Sequence, residues 1–219
     1  MSRAVKRRMR TVRSTMMALA LSCFVAVAAR GSERNPTFDL GLSFGVRSTD
    51  PAGWDEFARH QSFGADLSWR RPTWPLFLAL DLHAGGKSNA GYDPYVRGTV
   101  YTNDATHAEA ALGIRWIGYS RRFALGFASG LALVYGAFGK DTIRVAPGHG
   151  LPDESGTGFG PWLDAGARLR IGAWYSAGIG ARITRARGTL YGRDVDLGGW
   201  QAYVTFLGLS WPRQTGRHP

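Results

Sequence analysis

The chain has 219 residues, 30 Gly, 8 Trp and 1 Cys, with 12% aromatic and 20% charged residues, a net charge of +11 and a mean hydropathy of −0.18. This is the length of one ordinary domain, and the composition excludes a disordered chain, a disulfide scaffold and any multi-Cys metal site. After the first thirty residues no apolar run approaches the roughly 20 residues that a membrane helix needs, which excludes a helical membrane protein.

Residues 1–15 hold Arg3, Lys6, Arg7, Arg8, Arg10 and Arg13 and no acid, and Met16 to Ala28 is almost wholly apolar. Ala26-Val27-Ala28 is a small-x-small cleavage signal. Together these predict a secretory signal peptide over 1–28, followed by a mature domain over 29–219. Removing 1–28 takes away six cations and leaves about +5. The apparent basicity is therefore mostly targeting sequence and does not point to a nucleic-acid partner. Cys23 lies inside the apolar run, and Ala20-Leu21-Ser22 before it is a poor match to a lipidation site.

Period-2 alternation dominates the mature chain. In 38–47, Phe38, Leu40, Leu42, Phe44 and Val46 oppose Asp39, Gly41, Ser43, Gly45 and Arg47. In 63–70, Phe63, Ala65, Leu67 and Trp69 oppose Gly64, Asp66, Ser68 and Arg70. In 76–84, Leu76, Leu78, Leu80 and Leu82 share a face, and Asp81 and His83 take the other. In 107–117, Ala108, Ala110, Leu112, Ile114 and Trp116 oppose His107, Glu109 and Arg115. In 122–135, Phe123, Leu125, Phe127, Leu131, Leu133 and Tyr135 face away from a row of Ala and Gly. In 162–171, Leu163, Leu169 and Ile171 oppose Asp164, Arg168 and Arg170. In 174–187, Tyr175, Ile179 and Ile183 oppose Ser176, Arg182 and Thr184. In 200–211, Tyr203, Thr205, Leu207, Leu209 and Trp211 are read as one face, with Gly208 and Ser210 on the other.

These eight segments have the length of tilted membrane strands. The connections between them alternate long and short, as in an up-and-down barrel with tight turns at one end and loops at the other. The long connections carry Asp50-Pro51-Ala52-Gly53, Asp93-Pro94, Pro147-Gly148 and Pro152-Asp153.

Alternation alone does not say which face points inward. Four features place the apolar face outward. Trp69, Trp74, Trp116, Trp174 and Trp211 fall at strand ends or turns on one side, as an aromatic girdle would. Trp162 and Trp200 fall at the other end, where a second girdle is expected. The opposite face is rich in Gly and mixes acids with arginines, which suits the filled interior of a small barrel. The mature chain has no disulfide, and its last strand closes on an aromatic.

On these residues the segment 38–211 resembles the small eight-stranded bacterial outer-membrane β-barrels related to the OmpA membrane domain and OmpX. One departure is that Pro212 to Pro219 follow the closing aromatic. The resemblance implies an all-β, eight-stranded antiparallel up-and-down transmembrane barrel in the outer membrane of a Gram-negative-type bacterium. It also implies Sec export, folding by the outer-membrane assembly machinery, and membrane lipid and lipopolysaccharide as surroundings. A monomer is expected.

The inward set is Asp39, Arg47, Asp66, Arg70, Asp81, Glu109, Arg115, Asp164, Arg168, Arg170 and Arg182. It reads as a salt-bridge plug, with an ion path or binding site as the alternative. His60-Gln61-Ser62 has the His-x-Ser spacing of a lipid A deacylating outer-membrane family, and Ser88-Asn89-Ala90-Gly91 is similar to the tail of its motif. Gly86 stands where that motif has His, and these residues come early in the chain rather than late. His60, His149 and Ser155 match no acyltransferase motif. His83 and His107 are expected to be cross-strand neighbours, and two His rarely close a zinc site. No catalytic, cofactor or metal residue is assigned. The function expected is structural or surface-interacting and non-enzymatic, with a lipid A-modifying enzyme and a narrow pore as alternatives.

Overall fold

A computed structural model describes residues 36–49, 58–92, 100–143, 151–172, 174–190 and 193–211. The expected signal peptide, His149, His218 and the loop residues of 50–53, 93–94 and 147–148 lie outside these segments. The described chain is all-β: β1 (Phe38–Ser48), β2 (Arg59–Trp69), β3 (Phe77–Tyr92), β4 (Val100–Tyr119), β5 (Phe123–Ile143), β6 (Leu151–Ile171), β7 (Tyr175–Thr184), β8 (Arg187–Leu190), β9 (Arg193–Asp196) and β10 (Gly199–Trp211).

Each of β1 to β7 pairs antiparallel with the next, β7 pairs with β10, and β10 returns to β1, so the sheet closes on itself. The short β8 and β9 prolong β7 and β10 beyond an interruption. β6 pairs first with β7 and then with β8, and the ladder crosses the gap through Arg185 N donating to Pro161 O and Leu197 N donating to Ala186 O. Asp196 stitches the break, its Oδ1 accepting from Ala186 N at 3.0 Å and Gly198 N at 2.9 Å. The result is an eight-stranded up-and-down barrel whose wall closes on itself.

Phe38 pairs with Trp211, so the first and last strands meet at the end that carries the tight turns. There, Ser120 and Phe123 close the β4–β5 turn through reciprocal bonds, and Gly172 takes φ +83 in the β6–β7 turn, a conformation that only Gly adopts without strain. At the opposite, loop end, β3, β4, β5 and β6 run further than alternation indicates, pairing out to Tyr92 with Val100 and Val100 with Ile143. Pro152 and Asp153 therefore belong to β6 and not to a loop. Alternation cannot report such extensions: segments such as Gly85-Gly86-Lys87-Ser88 have no apolar face to alternate.

Parity along the strands sorts the side chains. Leu78, Leu80, Leu82, Leu112, Ile114, Phe127, Leu131, Leu133, Leu163, Leu169 and Ile179 are exposed on the outer wall, and Asp39, Arg47, Asp66, Asp81, Glu109, Arg115 and Arg182 are buried inside it. An outer wall this apolar is unlike the surface of a water-soluble barrel, which keeps its apolar set inward.

The last strand departs from the sequence reading. Leu42 of β1 pairs with Leu207 of β10, but Ser43 pairs with Thr205, so Phe206 is an extra residue. This bulge reverses parity. Val204 and Phe206 face out at 52% and 50% exposure, and Tyr203 and Thr205 face in at 8% and 1%. Tyr203 and Thr205 thus belong to the lumen, not to the apolar face shared by Leu207, Leu209 and Trp211.

Trp162 is a second correction. It has the parity of Asp164 and points inward at 1% exposure, so it is no part of a loop-end girdle. Its ring lies 4.1 Å from the guanidinium carbon of Arg182, and its Nε1 donates to Leu112 O at 3.3 Å. Gly130 sits opposite Trp162 on β5, and a side chain there would collide with the Leu112 carbonyl that the indole bonds. Around it Ala79, Ala105, Ala111, Ala128, Ala132, Val134, Ala186 and Leu197 form the apolar part of the interior.

Candidate functional site

The barrel interior is where the charged side chains meet. Asp66 on β2 and Asp81 on β3 are directly opposite each other, which two unneutralised carboxylates would not tolerate. Arg115 from β4 donates through Nη2 to both oxygens of Asp81 at 2.8 Å and stands 4.0 Å from Asp66, while its Nη1 donates to Ser68 Oγ at 2.9 Å. Arg182 from β7 donates through Nη1 to Asp81 at 2.8 Å and through Nε to Glu109 at 2.8 Å. Arg47 from β1 donates through Nη1 to the other oxygen of Glu109 at 2.7 Å, and Thr184 Oγ1 adds a bond at 3.0 Å. Arg47, Glu109, Arg182, Asp81 and Arg115 therefore form one continuous chain that ties together β1, β3, β4 and β7.

Closer to the turn end lies a second group. Arg168 donates to Asp39 at 2.5 Å, Ser210 Oγ donates to the same carboxylate at 2.6 Å, and Tyr119 OH reaches it at 3.4 Å. Tyr203 OH spans both oxygens of Asp164, at 2.9 and 3.0 Å. Gly180 faces the Tyr203 ring so closely that any side chain there would collide with it. Between the two groups is a cavity of about 20 Å³ bordered by Arg115, Asp164, Arg168 and Tyr203, enough for about one water molecule.

The other two inward arginines join no acid among the described residues. Arg70 donates to the carbonyls of Pro36 and Trp74 and lies over Phe77, and Arg170 donates to Ser120 O beside Tyr119. Both hold turns at the rim. Of the turn-end tryptophans, Trp69, Trp74, Trp174 and Trp211 are exposed, Trp116 is half-buried, and Trp69 packs edge-on against Trp74.

Histidines group near the loop end of the lumen. His60 and His107 meet with Nε2 and Nδ1 2.7 Å apart, a contact that alternation could not reveal because it spans two strands that are not neighbours. His83 is opposite Glu109, not His107, and lies 3.5 Å from Asp66. His60 and Ser62 do share a face, but that face is the lumen, and Ser62 Oγ has no hydrogen-bond partner. A pair that deacylated a lipid would need the base bonded to the hydroxyl and access to the lipid. Asp66, Asp81 and His83 are close enough together to suit a metal ion. The Arg115 guanidinium, bonded to both Asp81 oxygens, already places a cation there.

Tyr203, Thr184, Ser68, Ser210, Tyr119 and Trp162 complete this interior. Alternation puts Ser68, Thr184 and Ser210 on the polar face without marking them as site residues, assigns Tyr203 to the apolar face and Trp162 to a girdle, and does not reach Tyr119. For Trp162 the signal was present in its parity with Asp164. For Tyr203 it was hidden by the bulge at Phe206.

No family model matches the chain, and no curated protein matches it in sequence. Solved structures do match in fold. The outer-membrane protein OprG from Pseudomonas aeruginosa aligns with TM-score 0.52 at 10% identity, over 82% of this chain and 97% of its own. Ail, the attachment invasion locus protein of Yersinia pestis, solved in complex with the heparin analogue sucrose octasulfate, aligns with TM-score 0.51 at 10% identity, over 83% and 99%. The chain has the fold of the small eight-stranded outer-membrane β-barrels.

Proposed function

We propose that the protein is a monomeric barrel of the bacterial outer membrane, delivered by the Sec route and the outer-membrane assembly machinery. Its lumen is closed by an arginine–carboxylate plug, and its role is structural or one of surface interaction, without catalysis. One observation carries the reading: the unbroken chain from Arg47 through Glu109, Arg182 and Asp81 to Arg115, which crosses the interior with each of its two carboxylates held between two arginines. An ion-selective path more often shows an excess of one sign along its length. The exposed Leu, Ile and Phe of the outer wall suit lipid, and the Trp at the turn end suit its interface. The loop end then faces lipopolysaccharide or an external ligand, and the neighbouring fold of Ail, solved with a heparin analogue, is compatible with a surface-binding role. Planar-bilayer recording tests the plug: a closed lumen gives no steady conductance. Lipid A mass spectra of a deletion strain test the absence of catalysis, since loss of a modifying enzyme changes them.

A further inference from the structure

In the loop-end half of the lumen several buried side chains carry polar atoms with no hydrogen-bond partner among the described residues; Ser62, His107, Arg47 and Gln201 are four of them. Arg47 is 1% exposed, and only its Nη1 is used, on Glu109. The two unused nitrogens are Nε and Nη2. Their N–H bonds lie along one edge of the guanidinium and point in parallel. That is the fork that grips two oxygens of one carboxylate or phosphate. Directly opposite Arg47 on β10 stands Gln201, also 1% exposed, with both amide atoms unused. Arg47 and Gln201 are neighbours and do not bond each other.

Charge points the same way. Glu109 supplies one negative charge to two guanidiniums, Arg47 and Arg182, and Asp81 supplies one to Arg182 and Arg115. Asp66, 4.0 Å from Arg115, and Asp164, opposite Arg182 on β6, both lie toward the far end. Positive charge is therefore least compensated at the Arg47 end of the chain, where the unused guanidinium nitrogens are.

We propose that Arg47 and Gln201 bind a small oxyanion, a carboxylate or a phosphate group, within the loop-end half of the lumen. The Arg47 Nε and Nη2 donate side-on to two of its oxygens. The Gln201 amide N–H donates to an oxygen, and Gln201 Oε1 accepts the proton of a singly protonated phosphate. The site shares Arg47 with the plug but uses the two nitrogens that the Glu109 pair leaves over, so a barrel that conducts would still contain it.

The full barrel folded in detergent micelles is titrated with sodium acetate and, separately, sodium phosphate, with sodium chloride holding ionic strength constant. The Arg47 Nε–Hε resonance and the thermal midpoint are followed. A saturable shift of both with acetate, with phosphate or with each, and none with chloride alone, supports the site; which salt acts tells carboxylate from phosphate. Gln201→Leu, which leaves every ion pair intact, and Arg47→Lys, which keeps the charge and loses the fork, should each abolish the saturable part. An Arg47 resonance that ignores both oxyanions, or a midpoint that rises equally in wild type and Gln201→Leu, overturns the proposal and leaves the fork to water. If Arg47→Lys does not fold, the wild-type resonance and Gln201→Leu decide.

Discussion

Arg47 and Glu109, 62 residues apart in the chain, meet at 2.7 Å inside the barrel with side chains at most 1% exposed. This contact can form only after β1 and β4 have been brought into one wall, so it is a product of barrel closure and then a lock on it. A buried charge stripped of its partner costs about 3–5 kcal/mol, far more than a surface pair is worth.

Asp81 takes two arginines, Arg115 and Arg182, and is fully buried. Asp81→Ala leaves both guanidiniums short of a counter-charge. The expected loss is about 3–5 kcal/mol of stability, read by urea unfolding in lipid vesicles.

Leu80 is next to Asp81 and faces the other way, 36% exposed on the outer wall. Leu80→Arg puts a charge into lipid. Near the bilayer midplane this should destabilise by about 2–4 kcal/mol in vesicle refolding. A harmless Leu80→Arg would reverse the assignment of faces.

The bulge at Phe206 predicts a difference between neighbours. Tyr203→Phe removes the donor to the buried Asp164 and should cost about 1–3 kcal/mol. Val204→Ile, on the exposed outer side, should be close to neutral under the same unfolding conditions. Equal effects would contradict the reversed parity.

Export gives a chemical prediction. Protein isolated from outer-membrane fractions should begin at Ala29 or within a few residues of it when sequenced from the N-terminus. An intact Met1, or a lipid on Cys23, would be the contrary result.

The barrel was legible because lipid and lumen impose opposite demands on alternate residues, so Phe38 to Arg47 or Leu76 to Ala84 declare both a strand and its faces. What alternation cannot show is partnership. That Arg182 meets both Glu109 and Asp81, or that His60 meets His107, depends on which strands lie across the lumen. Where one residue is inserted, as at Phe206, the pattern misleads, because everything on one side of the bulge changes face. Where both faces are polar or glycine-rich, as at the loop end of β3, no pattern exists to be read.

Single-channel recording of the wild-type barrel in planar bilayers tests most directly the proposal that paired charges close the lumen. The closed network predicts no steady conductance at neutral pH, together with reduced stability for Asp81→Ala. Stable, ion-selective steps from the wild type, altered in selectivity by Asp81→Ala without any loss of stability, would contradict it.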